Sequence, residues 1–148
     1  MLVKKFNVRV YGILMQNNTV LVSDEYIKGN KITKFPGGGL EFGEGTKDCL
    51  IREFKEELDL DIEVVDHFYT TDFFVASAFH TNSQVISIYY TVKAKSKASF
   101  KVSLTEHNYD KKEGAQALRW LEIKQLKDSD LTLIIDKRVG ELLIKKFG

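Results

Sequence analysis

Apolar and polar positions alternate from the start of the chain. Phe6, Val8 and Val10 alternate with Asn7, Arg9 and Tyr11, and the run continues into Ile13 and Met15. A period of two predicts a strand. Asn17-Asn18 supplies a turn, and the β-rich run Thr19 to Tyr26 predicts the second arm of a hairpin. Lys28 to Lys31 reads as another turn, and Ile32 to Phe35 as a short extended piece ended by Pro36, because a residue before proline favours extended backbone. From Thr46 to about Leu58 the period becomes helical, with Ile51, Phe54 and Leu58 as the expected buried stripe and Leu50 at its edge.

Beyond that helix, Ile62 to Ala76 and Gln84 to Lys95 are β-rich. Ser96 to Gly114 is polar and loop-like, and Ala117 to Ile123 predicts a short strand. Leu131 to Phe147 predicts an amphipathic helix with Ile134, Ile135, Val139, Leu142 and Leu143 as its apolar face. Strands, one helix, more strands and a last helix argue for an α+β fold with helices packed on a sheet.

Length and composition narrow the class. At 148 residues the chain fits a single domain spanning 1–148, and 43% hydrophobic with 29% charged residues is ordinary for a globular protein. A formal net charge of +1 leaves no electrostatic footprint for nucleic acid and no polybasic membrane anchor. No apolar stretch approaches the ~20 residues that span a bilayer. Arg9 interrupts the first apolar run and no small-residue cleavage site follows, so no signal peptide is expected. Cys49 is the only cysteine, which excludes an internal disulfide and suits a reducing compartment. The expectation is a cytoplasmic protein that contacts neither nucleic acid nor membrane, with homodimerisation left open.

Charge placement on the first helix changes the picture. Glu53, Glu56 and Glu57 stand at i, i+3 and i+4 and so share one sector, beside the apolar stripe. Each like-charge pair at this spacing costs about 0.2–0.5 kcal/mol. Glu56 and Glu57 also meet the negative end of the helix dipole, at roughly 0.3–1 kcal/mol each if exposed. Local stability is thus given up without visible compensation, which marks a functional site. A divalent cation would compensate, and hard oxygen ligands suit Mg²⁺ or Mn²⁺ better than zinc. The preceding Gly37-Gly38-Gly39 lets backbone approach a ligand closely, so phosphate and metal contact is expected there.

These residues resemble the Nudix box. Gly38, Glu44, Arg52, Glu53, Phe54, Glu56, Glu57 and Leu60 stand at the spacing of that motif, and Asp59 replaces its glycine. The approach Phe35-Pro36-Gly37-Gly38-Gly39 and the segment Arg119-Trp120-Leu121 are also similar to the family. The resemblance implies a Nudix-type α/β/α sandwich with a mixed central sheet. It implies a metal-dependent pyrophosphohydrolase cleaving a nucleoside diphosphate linked to another group X. X is open among nucleoside triphosphates, nucleotide sugars, dinucleoside polyphosphates and ADP-ribose.

By the same resemblance Glu53, Glu56, Glu57 and the Gly38 carbonyl bind Mg²⁺ (Mn²⁺ being the alternative), while Arg52 and Glu44 orient them. Glu53 is the general base within the box, and Glu106 or Glu113 on the late polar loop are the alternatives; solvated loop charges are the commoner role for both. Asp59 tolerates a left-handed backbone better than most residues, so it keeps every proposed ligand in place.

Several residues carry simpler readings. Cys49 is expected as a small buried hydrophobe rather than a nucleophile. Phe68, Tyr69, Phe73, Phe74 and Phe79 could stack on a nucleobase, but strand-core packing is the expectation. The rival function is a Nudix-fold sensor that binds a nucleotide without cutting it. Such proteins tend to lose box carboxylates, and none is lost here.

Overall fold

The alternating start of the chain forms one long strand, β1 (Lys5–Gln16), in a computed structural model that describes residues 2–148. There follow β2 (Thr19–Ile27), β3 (Asn30–Lys34), β4 (Gly37–Gly39), α1 (Thr46–Leu58), β5 (Ile62–Thr70), β6 (Ser83–Ala94), β7 (Gln116–Glu122) and α2 (Ile134–Phe147). Two single-turn 3₁₀ segments, Ile123–Gln125 and Asp128–Asp130, lie between β7 and α2. The chain divides into two compact units, one running to Gly12 and from Gly37 to Ala98, the other Ile13–Pro36 with Ser99–Gly148.

In the first unit β1 is flanked by β4 and β6, and β5 lies beyond β6. The glycine cluster is not the loop that its composition suggests. It is a short strand, antiparallel to β1 with Arg9, Val10 and Tyr11 opposite Gly39, Gly38 and Gly37. Gly37 has φ +151°, and a Cβ there would fall on the Val10 carbonyl, so the pairing requires glycine. Helix α1 rests on this sheet through Phe54, whose ring is packed against Gly12. A Cβ at Gly12 would come within 2.6 Å of that ring.

The buried stripe of α1 is Cys49, Leu50, Phe54 and Leu58, while Ile51 is exposed. Phe54 and Leu58 are buried as expected, and Leu50 rather than Ile51 completes the stripe. A helix of 3.6 residues per turn places Leu50, Phe54 and Leu58 in a line, and Ile51 turns away from it. Strand β5 is shorter than its composition suggests, ending at Thr70 instead of Ala76. The residues after it are held by main-chain bonds to β6, Thr71 N–H to Ser87 O at 3.0 Å and Val85 N–H to Val75 O at 2.8 Å.

Asp59 closes α1 in the left-handed conformation, φ 49° and ψ 42°. Its N–H donates to Lys55 O at 3.1 Å and Leu60 N–H to Phe54 O at 3.4 Å, which satisfies two of the free carbonyls at the helix end. The Asp59 carboxylate also meets Lys55 Nζ at 3.2 Å.

In the second unit β2 pairs antiparallel with β3 on one side and β7 on the other. Both predicted turns have left-handed central residues, Asn17 and Asn18 (φ 50° and 67°) and Lys28 and Gly29 (φ 48° and 80°), as two-residue hairpins need. Helix α2 buries Ile135, Val139 and Leu143, but Ile134 at its first turn is exposed rather than part of the apolar face.

A charge sits at the centre of this unit. Asp24, fully buried on β2, accepts bonds from Arg119 Nε at 2.6 Å and Nη2 at 2.9 Å, from Thr33 Oγ1 at 2.7 Å and from the His107 N–H at 3.0 Å. Burial pushes this carboxyl's pKa up, but those donors outweigh burial and hold it below the ordinary value. The bond to His107 helps to fasten the polar segment after β6, which is also held by the Glu113 carboxylate on the Lys28 N–H at 2.7 and 3.0 Å and by the Ser103 N–H on Leu118 O at 2.7 Å.

Two outcomes follow from these two features. Asp59→Gly should match or exceed the wild type in thermal midpoint, and Asp59→Ala should fall below both by about 1 kcal/mol, since alanine meets the left-handed penalty unaided. Equal midpoints for Gly and Ala would refute the strain argument. Asp24→Asn should destabilise by roughly 3–5 kcal/mol in denaturant titration, because the buried Arg119 guanidinium loses its counter-charge. A depressed carboxylate stabilises above its unfolded pKa and ceases to as pH falls through the folded one. The variant should therefore lose less stability than the wild type as pH drops below about 4.

Candidate active site

The loop from Leu40 to Gly45 connects the glycine strand β4 to α1, and Arg52 on α1 reaches back to it. Its Nε donates to Glu44 Oε2 at 2.9 Å and its Nη2 to Glu44 Oε1 at 2.7 Å, a two-pronged contact that a lysine could not make. Nη2 also donates to Gly39 O at 3.2 Å. Nη1 donates to Glu53 Oε1 at 3.0 Å and to Glu56 Oε2 at 3.2 Å, and lies 3.6 Å from Glu41 Oε1. One guanidinium thus joins the loop, the glycine strand and two of the three helix carboxylates.

Glu44 is set from two sides. The Arg52 hydrogen bonds, with a lesser part from the Glu41 N–H at 2.9 Å, lower its pKa to about 2. Arg52 is correspondingly raised, first by its bond to Glu44. At neutral pH the two form an ion pair.

Glu53 is the most enclosed of the three helix carboxylates. Its side chain is 12% exposed, against 59% for Glu56. Glu57 follows on the same face with its side chain exposed. Of the three carboxylates beside the apolar stripe, Glu53 alone is enclosed. What encloses it is Gly38, since a Cβ on Gly38 would come within 2.6 Å of both Glu53 carboxylate oxygens. Carboxylate and peptide backbone are packed as closely as any side chain would forbid.

Gly37, Gly38 and Gly39 have distinct positions. Gly37 holds the strand pairing, Gly38 faces Glu53, and the Gly39 carbonyl is taken by Arg52 and by the Cys49 thiol at 3.5 Å. Cys49 is fully buried, and burial followed by the nearby Glu44 pushes its thiol up to about 12, so it is no nucleophile at neutral pH. Glu106 and Glu113 belong to the second unit. Glu113 is engaged with the Lys28 N–H, and Glu106 is exposed. Arg119, noted in the sequence only within a similar segment, is the partner of Asp24. The sequence carries no signal for Asp24, which stands between Ser23 and Glu25 like an ordinary solvated strand position.

A model of the NUDIX domain matches residues 5–141. The chain belongs to the Nudix family. Solved Nudix structures resemble it over nearly the full length. One is a NUDIX hydrolase from Nitrosomonas europaea, with 18% identity, TM-score 0.72, and 97% of this chain and 91% of that one covered. Another is the MutT Nudix hydrolase of methicillin-resistant Staphylococcus aureus 252, with 26% identity, TM-score 0.64, and 97% and 98% covered. A third is an ADP-ribose pyrophosphatase from Streptococcus suis, with 18% identity, TM-score 0.62, and 94% and 90% covered. The fold class is the expected one, α+β with the mixed sheet and two helices of the Nudix α/β/α sandwich. As a Nudix-type pyrophosphohydrolase the protein is an enzyme acting on phosphoric anhydrides.

The Gly38–Glu53 approach makes a sharp test of the site. Gly38→Ala forces the Glu53 carboxylate to move by an ångström or more, and a displacement of that size costs about 10²-fold in turnover. The expected result is that loss with a circular dichroism spectrum like the wild type's. Undiminished turnover would show that the position of Glu53 does not matter.

Proposed function

We propose that the protein hydrolyses a nucleoside diphosphate linked to a group X, with Mg²⁺ (or Mn²⁺) held by Glu53, Glu56, Glu57 and the Gly38 carbonyl. The observation that carries this reading is the juxtaposition of Gly38 and Glu53. A backbone bare of side chain lies against an enclosed carboxylate, whose oxygens are the hard donors that a divalent cation takes. Among the described residues no three acidic or imidazole side chains already stand gathered as a closed cage. A magnesium site that keeps room for water and substrate phosphates does not require one. When bound, a divalent cation supplies charge neutralisation of the phosphoanhydride and a more acidic water.

The chain's own residues do the rest. Arg52 holds Glu44, Glu53 and Glu56 in one arrangement and keeps Glu53 against β4. Without that cation three carboxylates on one helical face would splay apart. Glu44 bonds the Glu41 N–H and so fixes the loop that leads from the glycine strand into the helix. Gly37–Gly39 keep side chains out of the space between β4 and the carboxylates of α1. The family match runs through both compact units, which supports treating 1–148 as one Nudix domain. Among the described residues no helix is long and apolar enough to cross a membrane, and we place the enzyme in the cytoplasm on its single buried cysteine.

The test is phosphate release from nucleoside triphosphates, nucleotide sugars, dinucleoside polyphosphates and ADP-ribose, the last chosen because a similar fold is an ADP-ribose pyrophosphatase. Turnover of one class with Mg²⁺ or Mn²⁺, abolished by chelator, is expected. Glu57→Gln should lower it by orders of magnitude while leaving stability equal or slightly higher, since it removes like-charge repulsion of about 0.2–0.5 kcal/mol. Full activity in that variant would remove Glu57 from the metal site. Binding without turnover across the whole panel would favour the sensor.

A further inference from the structure

Gly37 and Gly38 are forced by their surroundings, the first by its φ of +151° and the Val10 carbonyl, the second by the Glu53 carboxylate. Gly39 is not. It has no left-handed φ, and the nearest atom to a Cβ built there is Arg9 Nη1 at 3.6 Å, an ordinary contact. A side chain would fit, and glycine within a strand loses more conformational entropy on folding than alanine does. A strand glycine of this kind marks a place where something outside the chain comes close to the backbone.

What faces that place follows from the period of two. A Cβ at Gly12 would meet Phe54 and one at Gly38 would meet Glu53, both on α1. Arg9 and Tyr11 on β1, and Gly37 and Gly39 opposite them on β4, therefore face away from α1. The half-buried Arg9 is held there. Its Nε donates to the Tyr11 hydroxyl at 2.6 Å, and its guanidinium carbon lies 5.7 Å from the Tyr11 ring centroid. Tyr11 is itself fixed, buried in a row with Tyr89 and Tyr69, whose ring centroids follow at 5.3 and 6.3 Å. Strand-core packing, expected of the aromatics of this region, holds for Tyr69 and not for Phe73 and Phe74, which are exposed.

With Nε committed to a neutral hydroxyl, the plane of the guanidinium is set and Nη1 is directed at Gly39. The Gly39 peptide thus has Arg52 Nη2 at its carbonyl, 3.2 Å away, and Arg9 beside its α-carbon. An oriented guanidinium over a strand without side chains suits the oxygens of a phosphate group.

The carboxylates of α1 lie on one face of β4 and Arg9 reaches over the other, and β4 is the outer strand of the order β4–β1–β6–β5. The phosphates on either side of the cleaved bond belong with the cation and the carboxylates. A phosphate that meets Arg9 is a further one. ADP-ribose and nucleotide sugars have no further phosphate in their anhydride chain, whereas nucleoside triphosphates and the longer dinucleoside polyphosphates do.

We propose that Arg9, with the space left by Gly39, binds a phosphate beyond the two that flank the cleaved bond and so selects triphosphates and polyphosphates. The selection rests on the hydrolase reading above, but the anion site itself does not. In turnover with Mg²⁺ the wild type should favour a nucleoside triphosphate or a dinucleoside polyphosphate over ADP-ribose. Arg9→Gln should raise KM for the favoured class about tenfold or more, with kcat within about twofold and ADP-ribose turnover unchanged. Gly39→Ala should do the same at an equal or higher thermal midpoint, because its Cβ fills the subsite without colliding with the chain. Calorimetric titration with magnesium tripolyphosphate and magnesium pyrophosphate requires neither turnover nor a nucleobase. The wild type should bind the tripolyphosphate more tightly, and each variant should bind the two alike. A wild type that prefers ADP-ribose or a nucleotide sugar, or that binds the two inorganic anions alike, overturns the proposal. So does Arg9→Gln with wild-type KM and affinity, with equal losses for both substrate classes, or with a fall in kcat alone. No turnover of any substrate, with the tripolyphosphate preference present in the wild type and lost in both variants, would keep the subsite and remove the hydrolase reading.

Discussion

The site depends on one guanidinium. Arg52 is the point where the glycine strand, the loop after it and the carboxylate face of α1 are joined. A carboxylate triad on one helical face is self-repelling, so its geometry must be imposed from outside the triad. Arginine can impose it because its donors lie in a rigid plane and point several ways at once. Here they reach Glu44 twice, Glu53, Glu56 and the Gly39 carbonyl. The mutual dependence is also electrostatic, since Arg52 draws the Glu44 carboxyl down to about 2 and is itself raised by it.

The second constraint is steric. Gly12, Gly37 and Gly38 each occupy a place where a Cβ would collide, with the Phe54 ring, the Val10 carbonyl and the Glu53 carboxylate respectively. Together they let α1 come down onto β1 and β4 closely enough for Arg52 and Glu53 to reach the strand. Local stability is given up for this, through like charges on one helix face and the left-handed Asp59 at its end. The second unit shows the opposite economy. Its buried carboxylate Asp24 is satisfied by four donors, from β3, β7 and the His107 main chain, which offset the cost of burial.

Much of this was legible in the residue order. The bounds of α1 follow from its helical period, and both two-residue turns from Asn17-Asn18 and Lys28-Gly29. The box residues follow from their spacing, and the left-handed Asp59 from its place after the helix. The less legible parts have specific causes. Gly37–Gly39 lack the side chains that signal a strand, so a strand held purely by main-chain bonds to β1 reads as a loop. Ile51 and Ile134 are apolar but exposed, because composition cannot say which side of a helix meets the sheet when neighbouring positions on both sides are apolar. Phe73 and Phe74 look like core because aromatics favour strands, yet the strand stops short of them.

The sequence by itself determined the family and most of the element order, because both are written in short-range spacing that needs no knowledge of what lies opposite. The tertiary structure alone decided that Arg52 is the hub, that Gly38 backs on Glu53, that Asp24 is paired with Arg119, and which aromatics stay in water. The residues of each such pair are brought together by strand register and helix packing. Contacts between residues far apart in the chain leave no periodic trace along it, and only the folded backbone brings them within reach.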